Sequence, residues 1–273
     1  MRIHVLGANG MLGNYVYTYL KDLYDCVPYT RKEIDAVENI NEISKILGLE
    51  SGDYVINCIG TIKPQVESVG HMNTFIVNGL WPHMLHKTCA RAKAKMFHIT
   101  TDCIFSGEKG RYTELDRPTQ YDEYGLSKYF GELGHHCTIR TSIIGEEKST
   151  SRSLVEWALS QAGKEVSGFK NHLWNGVTCL QVAKVIEQLI EQNVYWEGVR
   201  HLFTHRSHSK LEMLQLFDSI YSLGLIINAV DAASECDRTL STFYTQPLAF
   251  SSVPTLHEQI REMKDFNIKE RGL

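Results

Sequence analysis

The sequence predicts an α/β fold in which a doubly wound parallel sheet is followed by a smaller C-terminal α/β lobe. Short apolar runs alternate with amphipathic helical patterns from the first residues onward. The apolar runs are nearly continuous, which is typical of strands that are buried on both faces of a sheet. Right-handed helical crossovers between such strands produce a sheet with helices on both sides.

Each element of the first half follows from these patterns. The spacing predicts strands over residues 2–7, 26–30, 53–60, 94–102 and 137–145. Helical periodicity predicts helices over residues 11–23, 40–49, 73–92 and 123–134. Gly48 and Gly134 stand at two of the predicted helix ends, where glycine commonly terminates a helix.

The alternation loosens after about residue 145. Helices are predicted over 151–163, 178–192, 209–223 and 254–264, with strand-like pieces at 199–204 and 225–230. We therefore expect a dinucleotide-binding domain over residues 1–145 and a smaller substrate-binding lobe over residues 146–273. The boundary is approximate and the chain is free to cross back over it. No flexible tract separates the two parts, so we expect them to share a cleft.

Composition restricts the classes of partner. The chain has 273 residues, of which 43% are hydrophobic and 22% charged, as in soluble globular proteins. Its net charge of −4 offers no basic surface for nucleic acid or an anionic membrane. The stretch "MRIHVLGANG" reads as a first strand, not as a signal peptide. We expect a cytoplasmic protein with neither kind of partner.

The cysteines and histidines do not predict disulfides or a metal site. The seven cysteines are scattered and never form a C-x-x-C pair, which favours a reducing compartment. The histidine pair at 135–136 has no cysteine or carboxylate at ligand spacing beside it. The same holds for His201, His205 and His208. We expect no bound metal.

A glycine-rich turn, "GANGMLG" at residues 7–13, follows the first predicted strand and opens the first helix. This context is typical of Rossmann-like dinucleotide-binding folds, because glycines let a diphosphate approach the helix N-terminus. A turn used only for packing is the alternative. The end of the third strand should face the same crevice. The predicted cofactor-binding residues of this crevice are Gly7, Asn9, Gly10, Met11, Leu12, Cys58, Ile59 and Gly60.

The end of the second strand bears on the choice of cofactor. In "VPYTRKE", Arg31 and Lys32 precede any acidic residue, and basic groups there accommodate a 2′-phosphate. The sequence therefore favours NADP(H). Glu33 and Asp35 follow closely enough to leave NAD(H) open, since an acidic residue binds the ribose hydroxyls.

Tyr124 and Lys128 lie four residues apart in "YDEYGLSKYFGE", so both project from one face of a helix. A phenol beside an ammonium can act as a proton donor, because the positive charge favours the phenolate and lowers the phenol pKa. Thr101, at the end of the fourth strand, should face the same crevice. The alternative is an ordinary surface pair.

Together, "GANGMLG", "TTDCIFSG", "YGLSKYFGE" and "IRTSIIG" resemble the extended short-chain dehydrogenase/reductases, and within them the dTDP-4-dehydrorhamnose reductase branch. The resemblance covers about residues 1–145. It implies NAD(P)H-dependent reduction of a 4-keto-6-deoxy sugar nucleotide, with Thr101, Tyr124 and Lys128 as the catalytic residues. It also implies that Lys128 binds the nicotinamide ribose, and that the pathway is deoxysugar and polysaccharide biosynthesis.

The substrate is expected to be a nucleoside diphosphate sugar. "NHLWNGVT" and "DRTLS" resemble substrate-lobe motifs of the same group, although turn and cap chemistry around Thr178 explains them equally well. The predicted substrate-binding residues are Cys103, Phe105, Trp174, Asn175 and Arg238. The oligomeric state is open, with a homodimer as one alternative.

Cys103 departs from the bulkier aromatic residue that this branch usually has there. It resembles the acid/base cysteine of GDP-fucose synthase and of bifunctional epimerase/reductases. Those enzymes need a second Lys or His, and "SRSLVEWALS" at 151–160 contains neither. We favour a pocket-lining role over an epimerase. A non-catalytic NADP-binding regulatory subunit is a further alternative, although retention of Thr101, Tyr124 and Lys128 argues against it.

Overall fold

The computed structural model describes residues 1–134, 136–147, 153–244 and 253–271. Its centre is a six-stranded sheet in the order β10-β5-β4-β3-β1-β2, in which all neighbouring strands are parallel. The strands are β1 (Ile3–Leu6), β2 (Cys26–Tyr29), β3 (Tyr54–Asn57), β4 (Lys95–Thr101), β5 (Cys137–Thr141) and β10 (Gly198–His201). The predicted doubly wound parallel sheet is confirmed.

Helices cover this sheet and the smaller lobe. They are α1 (Met11–Leu20), α2 (Ile43–Leu47), α3 (Val66–Val69), α4 (His71–Phe75), α5 (Trp81–Ala92), α6 (Glu123–Glu132), α7 (Leu154–Ser160), α8 (Cys179–Glu191), α9 (Lys210–Tyr221) and α10 (Leu256–Arg271). Within the described ranges, no helix is both long and apolar enough to span a bilayer.

Two hydrophobic cores lie on opposite faces of the sheet, because successive side chains of a strand alternate between its faces. In β1, Ile3 and Val5 enter the core shared with α1, α8 and α10. Leu6 enters the other core, against α2 and α5. This double burial explains why the strands read as continuous apolar runs.

In the part of the smaller lobe that the structure describes, the strands form three small sheets. Their strands are β6 (Ile143–Ile144), β7 (Glu165–Phe169), β8 (His172–Trp174), β9 (Val177–Thr178), β11 (His208–Ser209), β12 (Ile226–Val230) and β13 (Cys236–Asp237). The orders are β11-β8-β13, β12-β7 and β6-β9.

The predicted strand at 199–204 had been assigned to this lobe, and the structure corrects that assignment. Gly198–His201 pairs with Cys137–Arg140 at the edge of the main sheet. The preceding helix, α8, packs against α1. An apolar run shows that a segment is buried, but the run does not show which sheet the segment joins. The chain therefore returns to the first domain with α8 and β10.

Three other segments differ from their predicted bounds. The predicted helix at 73–92 contains a π-helical turn over Ile76–Leu80, between α4 and α5. The predicted strand at 137–145 divides at Ser142, whose carbonyl accepts a hydrogen bond from the Val177 backbone. Helix α10 extends beyond the predicted 254–264. Residues 151 and 152 of the predicted helix at 151–163, and His135, lie outside the described residues.

A buried ion pair joins the end of α6 to the sheet. The Arg140 guanidinium donates to both carboxylate oxygens of Glu132, with Nε–Oε1 at 3.1 Å and Nη2–Oε2 at 2.5 Å. Its Nη1 lies 2.8 Å from Nε2 of His201 on β10. Both charged residues are buried. Since buried charges are tolerated only when paired, this contact fixes α6 against β5 and β10.

We expect Glu132→Gln to lower the free energy of unfolding by about 3 kcal/mol or more, because Arg140 would stay buried without its counter-charge. Urea denaturation measures the change. Asp25→Asn is the control, since it breaks the exposed Arg2–Asp25 pair and should have no measurable effect. Equal stability of the Glu132→Gln variant and the native protein would contradict the assigned role of the pair.

Candidate active site

A cavity of about 1070 Å³ opens at the carboxyl ends of the main-sheet strands. In a doubly wound sheet, ligands bind at this edge. Cys103 of the predicted substrate set lines this one cavity, as do most of the predicted cofactor and catalytic residues: Gly7, Asn9, Gly10, Met11, Leu12, Arg31, Cys58, Ile59, Gly60, Thr101, Tyr124 and Lys128. Lys32 is exposed and does not line it.

The glycine-rich turn connects β1 tightly to α1. Gly7 has a φ of +78°, and a Cβ there would lie 3.1 Å from the Cys58 carbonyl group. A Cβ on Gly13 would lie 2.1 Å from the Gly7 carbonyl oxygen. The absence of both side chains lets α1 begin close to the strand. Its N-terminal amides thus face the cavity and fit the diphosphate of a dinucleotide.

A basic and an acidic side chain meet where the second strand ends. Arg31 Nε lies 2.6 Å from Asp35 Oδ2, and both residues line the cavity. Asp35 also accepts a hydrogen bond from the Val37 backbone at 2.8 Å. The Arg31 side chain is 83% exposed, so it is free to approach a phosphate. The geometry thus holds one group suited to NADP(H) and one suited to NAD(H).

Three candidate catalytic residues come together beside this turn. Asp122 caps α6 by accepting a hydrogen bond from the Gly125 backbone at 2.8 Å, which sets where the helix begins. Tyr124 and Lys128 then project from it into the cavity. Thr101, at the end of β4, lines the same cavity, and its hydroxyl accepts a hydrogen bond from the Cys103 backbone nitrogen at 3.1 Å. Lys128 is only 7% exposed. This arrangement is not that of a surface pair.

Burial has the largest effect on the proton affinities of both groups. Loss of water raises the pKa of the Tyr124 phenol above its usual value, and the nearby Cys103 adds to this shift. Burial also lowers the pKa of Lys128 to about 8. The sequence had suggested that the ammonium lowers the phenol pKa. In this structure the net shift has the opposite sign, because desolvation disfavours the phenolate and the nearby Cys103, Asp102 and Asp122 disfavour it further.

The predicted substrate residues do not all reach the cavity. The Arg238 guanidinium donates to the Phe105 carbonyl at 2.8 Å and lies 3.9 Å from the Cys103 sulfur. Trp174 lies beneath the Lys210 ammonium, which is 5.9 Å from the ring centroid. Burial raises the pKa of the Cys103 thiol to about 12.

Phe105 and Asn175, like the buried Trp174, lie in the interior and do not line the cavity. The Phe105 ring is fully buried and stacks on Tyr112 with ring centroids 4.1 Å apart. The Asn175 side-chain amide donates to the carbonyls of Leu240 and Thr204 and accepts a hydrogen bond from the Leu240 backbone nitrogen. Both positions support the loops of the substrate side and do not expose the side chain to a ligand. Thr178 caps α8, as the cap interpretation predicted.

Sequence reasoning missed two charged groups of this region. Asp102 is buried and lines the cavity, and burial raises the pKa of its carboxyl group. Lys210 begins α9, and its ammonium is electrostatically coupled to Asp102 and Arg238. The adjacent "TTD" could have drawn attention to Asp102. No local pattern connects Lys210 to a site residue that precedes it by some hundred positions.

Four histidine rings lie together near α6, where His136 meets His83 and His98 edge to face and His86 at a tilt, with centroid distances of 5.5–5.6 Å. The Nδ1 atom of His98 lies 3.0 Å from the Asn57 amide nitrogen. In the part of the chain that the structure describes, no three His, Cys, Asp or Glu side chains are grouped to hold a metal ion.

Comparison with known proteins shows which family shares these motifs. A family model described as the RmlD substrate binding domain matches residues 1–235. A probable low-salt glycan biosynthesis reductase of Haloferax volcanii is 34% identical over 148 residues, which are 48% of each chain. A dTDP-4-dehydrorhamnose reductase of Burkholderia thailandensis is 32% identical over 150 residues, 52% of this chain and 50% of that one. The chain thus spans about half the length of the curated relatives it matches.

Solved structures share the fold over nearly the whole chain. The dTDP-4-dehydrorhamnose reductase of Bacillus anthracis, in complex with NADP, superposes with a TM-score of 0.81 at 21% identity, covering 97% of this chain and 99% of that one. The corresponding Clostridium acetobutylicum protein gives 0.79 at 19% identity, with 98% and 99% coverage. MoeE5 in complex with UDP-glucose and NAD gives 0.75 at 14% identity, with 99% and 100% coverage. At these identities the likeness concerns the fold.

We expect Gly13→Ala to weaken NADPH binding by about tenfold or more, equivalent to about 1.4 kcal/mol, because the added Cβ displaces α1 from the Gly7 carbonyl. Fluorescence titration with NADPH measures the affinity. Gly10→Ala should have a smaller effect, since its Cβ would lie 3.3 Å from the same oxygen. Equal affinities of the two variants would contradict this steric account.

Proposed function

Because this chain belongs to the RmlD substrate binding domain family, we propose that it is an NAD(P)H-dependent reductase of a nucleotide-linked 4-keto-6-deoxy sugar. One observation carries the proposal. Thr101, Tyr124 and Lys128 meet in a single cavity with the glycine-rich turn. A proton donor beside a dinucleotide site is what the reduction of a ketone requires.

Each residue has a role in that reduction. The nicotinamide cofactor, when bound, supplies the hydride that adds to the carbonyl carbon. Tyr124 keeps its proton near neutral pH, because burial raises the phenol pKa, and donates it to the carbonyl oxygen as negative charge develops there. The Thr101 hydroxyl orients the phenol and the oxygen. The charged Lys128 ammonium stabilises the phenolate that the transfer leaves behind.

The substrate side supports a nucleoside diphosphate sugar. Arg238 donates to the Phe105 carbonyl and lies 3.9 Å from the Cys103 sulfur, and the Lys210 ammonium interacts electrostatically with Cys103, so two cations act on the region around this residue. Cations of this kind suit a diphosphate. Several relatives are named dTDP-4-dehydrorhamnose reductase, and one from Streptomyces niveus is named dTDP-4-keto-6-deoxy-D-glucose reductase. These names favour a dTDP-linked sugar.

NADP(H) is the proposed cofactor, with NAD(H) as the weaker alternative. The exposed Arg31 lines the cavity and can bind a 2′-phosphate, as the charge of a guanidinium favours. The ion pair with Asp35 opposes this role, since the phosphate would have to compete with the carboxylate. The preference should therefore be modest.

Cys103 is proposed as a pocket residue. A thiol whose pKa is raised to about 12 is protonated near neutral pH and is a poor base for abstracting a proton beside the ketone. This favours a simple reductase over a bifunctional epimerase. The regulatory-subunit alternative predicts cofactor binding without turnover.

An absorbance assay of reduced-cofactor consumption tests the activity. NADPH and NADH would be offered with dTDP-, UDP- and GDP-linked 4-keto-6-deoxyhexoses, each with and without a separate 3,5-epimerase. Consumption that depends on the epimerase would support a simple reductase. If the reduced cofactor is consumed without the epimerase, NMR of the product would distinguish direct reduction from built-in epimerisation, because the two give products of different stereochemistry. Tight NADPH binding without consumption of any sugar would overturn the proposal.

We expect Tyr124→Phe to lower kcat by about 100-fold or more, since the proton donor is lost, while the Kd for NADPH stays unchanged. The same assay and a fluorescence titration measure the two quantities. Tyr121→Phe is a matched control, because Tyr121 is 75% exposed and precedes α6. An unchanged kcat for Tyr124→Phe would disprove the mechanism.

We expect kcat to decline above about pH 8, where the Lys128 ammonium loses its proton. Only the charged form, which predominates below that pH, favours the phenolate. In Lys128→Arg this decline should move to higher pH, since a guanidinium stays charged. A kcat that stays level well above pH 8 in the native enzyme would contradict the role of the ammonium.

A further inference from the structure

The end of the Lys128 side chain occupies space that only a glycine leaves open. A Cβ on Gly60, in the loop after β3, would lie 2.3 Å from Lys128 Nζ and 3.4 Å from its Cε. Gly60 is not among the glycines with positive φ, so its backbone does not require a glycine. The requirement at this position is therefore one of space.

The loop that carries Gly60 is held by one buried amide. Asn78, in the π-helical turn, accepts a hydrogen bond from the Thr61 backbone nitrogen at 2.9 Å. It donates to the Thr61 carbonyl at 3.0 Å and to the Ser127 hydroxyl at 3.1 Å. The loop is thus tied to α6 one residue before Lys128.

A second glycine brings α6 against the same turn. A Cβ on Gly131 would lie 2.1 Å from the Asn78 carbonyl oxygen. The missing side chain thus lets the backbone of α6 lie directly against the π-helical turn. This close packing leaves the loop, the turn and the helix little freedom to shift relative to one another. The flexible end of Lys128 is the part that can yield.

We propose that Gly60 is a positioning residue for the reaction, because its missing side chain determines where the Lys128 ammonium lies between the cofactor loop and Tyr124. The inference rests on the proposed reductase function for its kinetic consequence. It goes beyond that function because it gives a residue outside α6, in the loop after β3, the role of positioning the Lys128 ammonium.

Gly60→Ala tests the proposal, since the methyl group must push the ammonium away by about 1 Å. A displacement of that size lowers rate constants by up to about 100-fold. We expect kcat to fall between about tenfold and 100-fold, and the decline at high pH to begin at lower pH, because the methyl further dehydrates the ammonium. Gly79→Ala is the matched control, since its Cβ would meet only Phe130 Cβ at 3.3 Å and the Ser127 carbonyl oxygen at 3.5 Å. It should retain the native kcat.

A second readout does not depend on turnover. NMR titration of ¹³C-labelled lysine follows the pKa of Lys128 directly, from a native value of about 8. A lowered Lys128 pKa in Gly60→Ala supports the inference, whether or not the native protein reduces a sugar. Failure of the native protein to reduce any sugar would overturn the proposed function alone. Native kcat together with an unchanged Lys128 titration in Gly60→Ala would overturn the inference.

Lys128→Ala in the Gly60→Ala background covers the case in which the single variant is unstable. If the contact between the methyl and the ammonium causes the loss, the double variant regains the thermal stability of Lys128→Ala alone. A loss of stability that persists without the lysine side chain would show that Gly60 serves the backbone, and would overturn the inference.

Discussion

The buried pair between Arg140 and Glu132 is the constraint on which the arrangement of the site depends. Charges inside a protein are tolerated only with good partners, so the two residues fix the rotation and depth of α6. Lys128 lies one helical turn before Glu132 in α6, so the same ion pair also fixes the position of Lys128. His201 completes the contact from β10, so a strand late in the chain supports a site built by the first half.

Close backbone approaches position the rest of the site. Gly7 and Gly13 let the first helix begin against the strand that precedes it, and Gly131 lets the catalytic helix touch the π-helical turn. Such contacts are steric and short-ranged, so they tolerate little displacement. The polar groups are then placed by a rigid framework. The Thr101 hydroxyl, for example, is held at the end of β4, where it accepts a hydrogen bond from the Cys103 backbone nitrogen.

Burial also decides which groups carry protons. Loss of water keeps the Tyr124 phenol and the Cys103 thiol in their neutral forms and brings the pKa of Lys128 down to about 8. The Tyr124 phenol therefore carries the proton that it donates. The Lys128 ammonium has a pKa close to neutral pH. The cations Arg238 and Lys210 favour the charged form of the buried Asp102 carboxyl group, which opposes the rise in its pKa that burial causes.

The sequence by itself determined what depends on local spacing. The alternation of strands and helices, the glycine-rich turn and the pairing of Tyr124 with Lys128 all follow from periodicities of a few residues, and motif resemblance pointed to the family. Only the tertiary structure decided that Gly198–His201 joins the main sheet, that Phe105 lies in the interior, and that Lys210 approaches Asp102. It also reversed the expected sign of the Tyr124 pKa shift. These features depend on pairing between distant segments and on exclusion of water, neither of which a local pattern encodes.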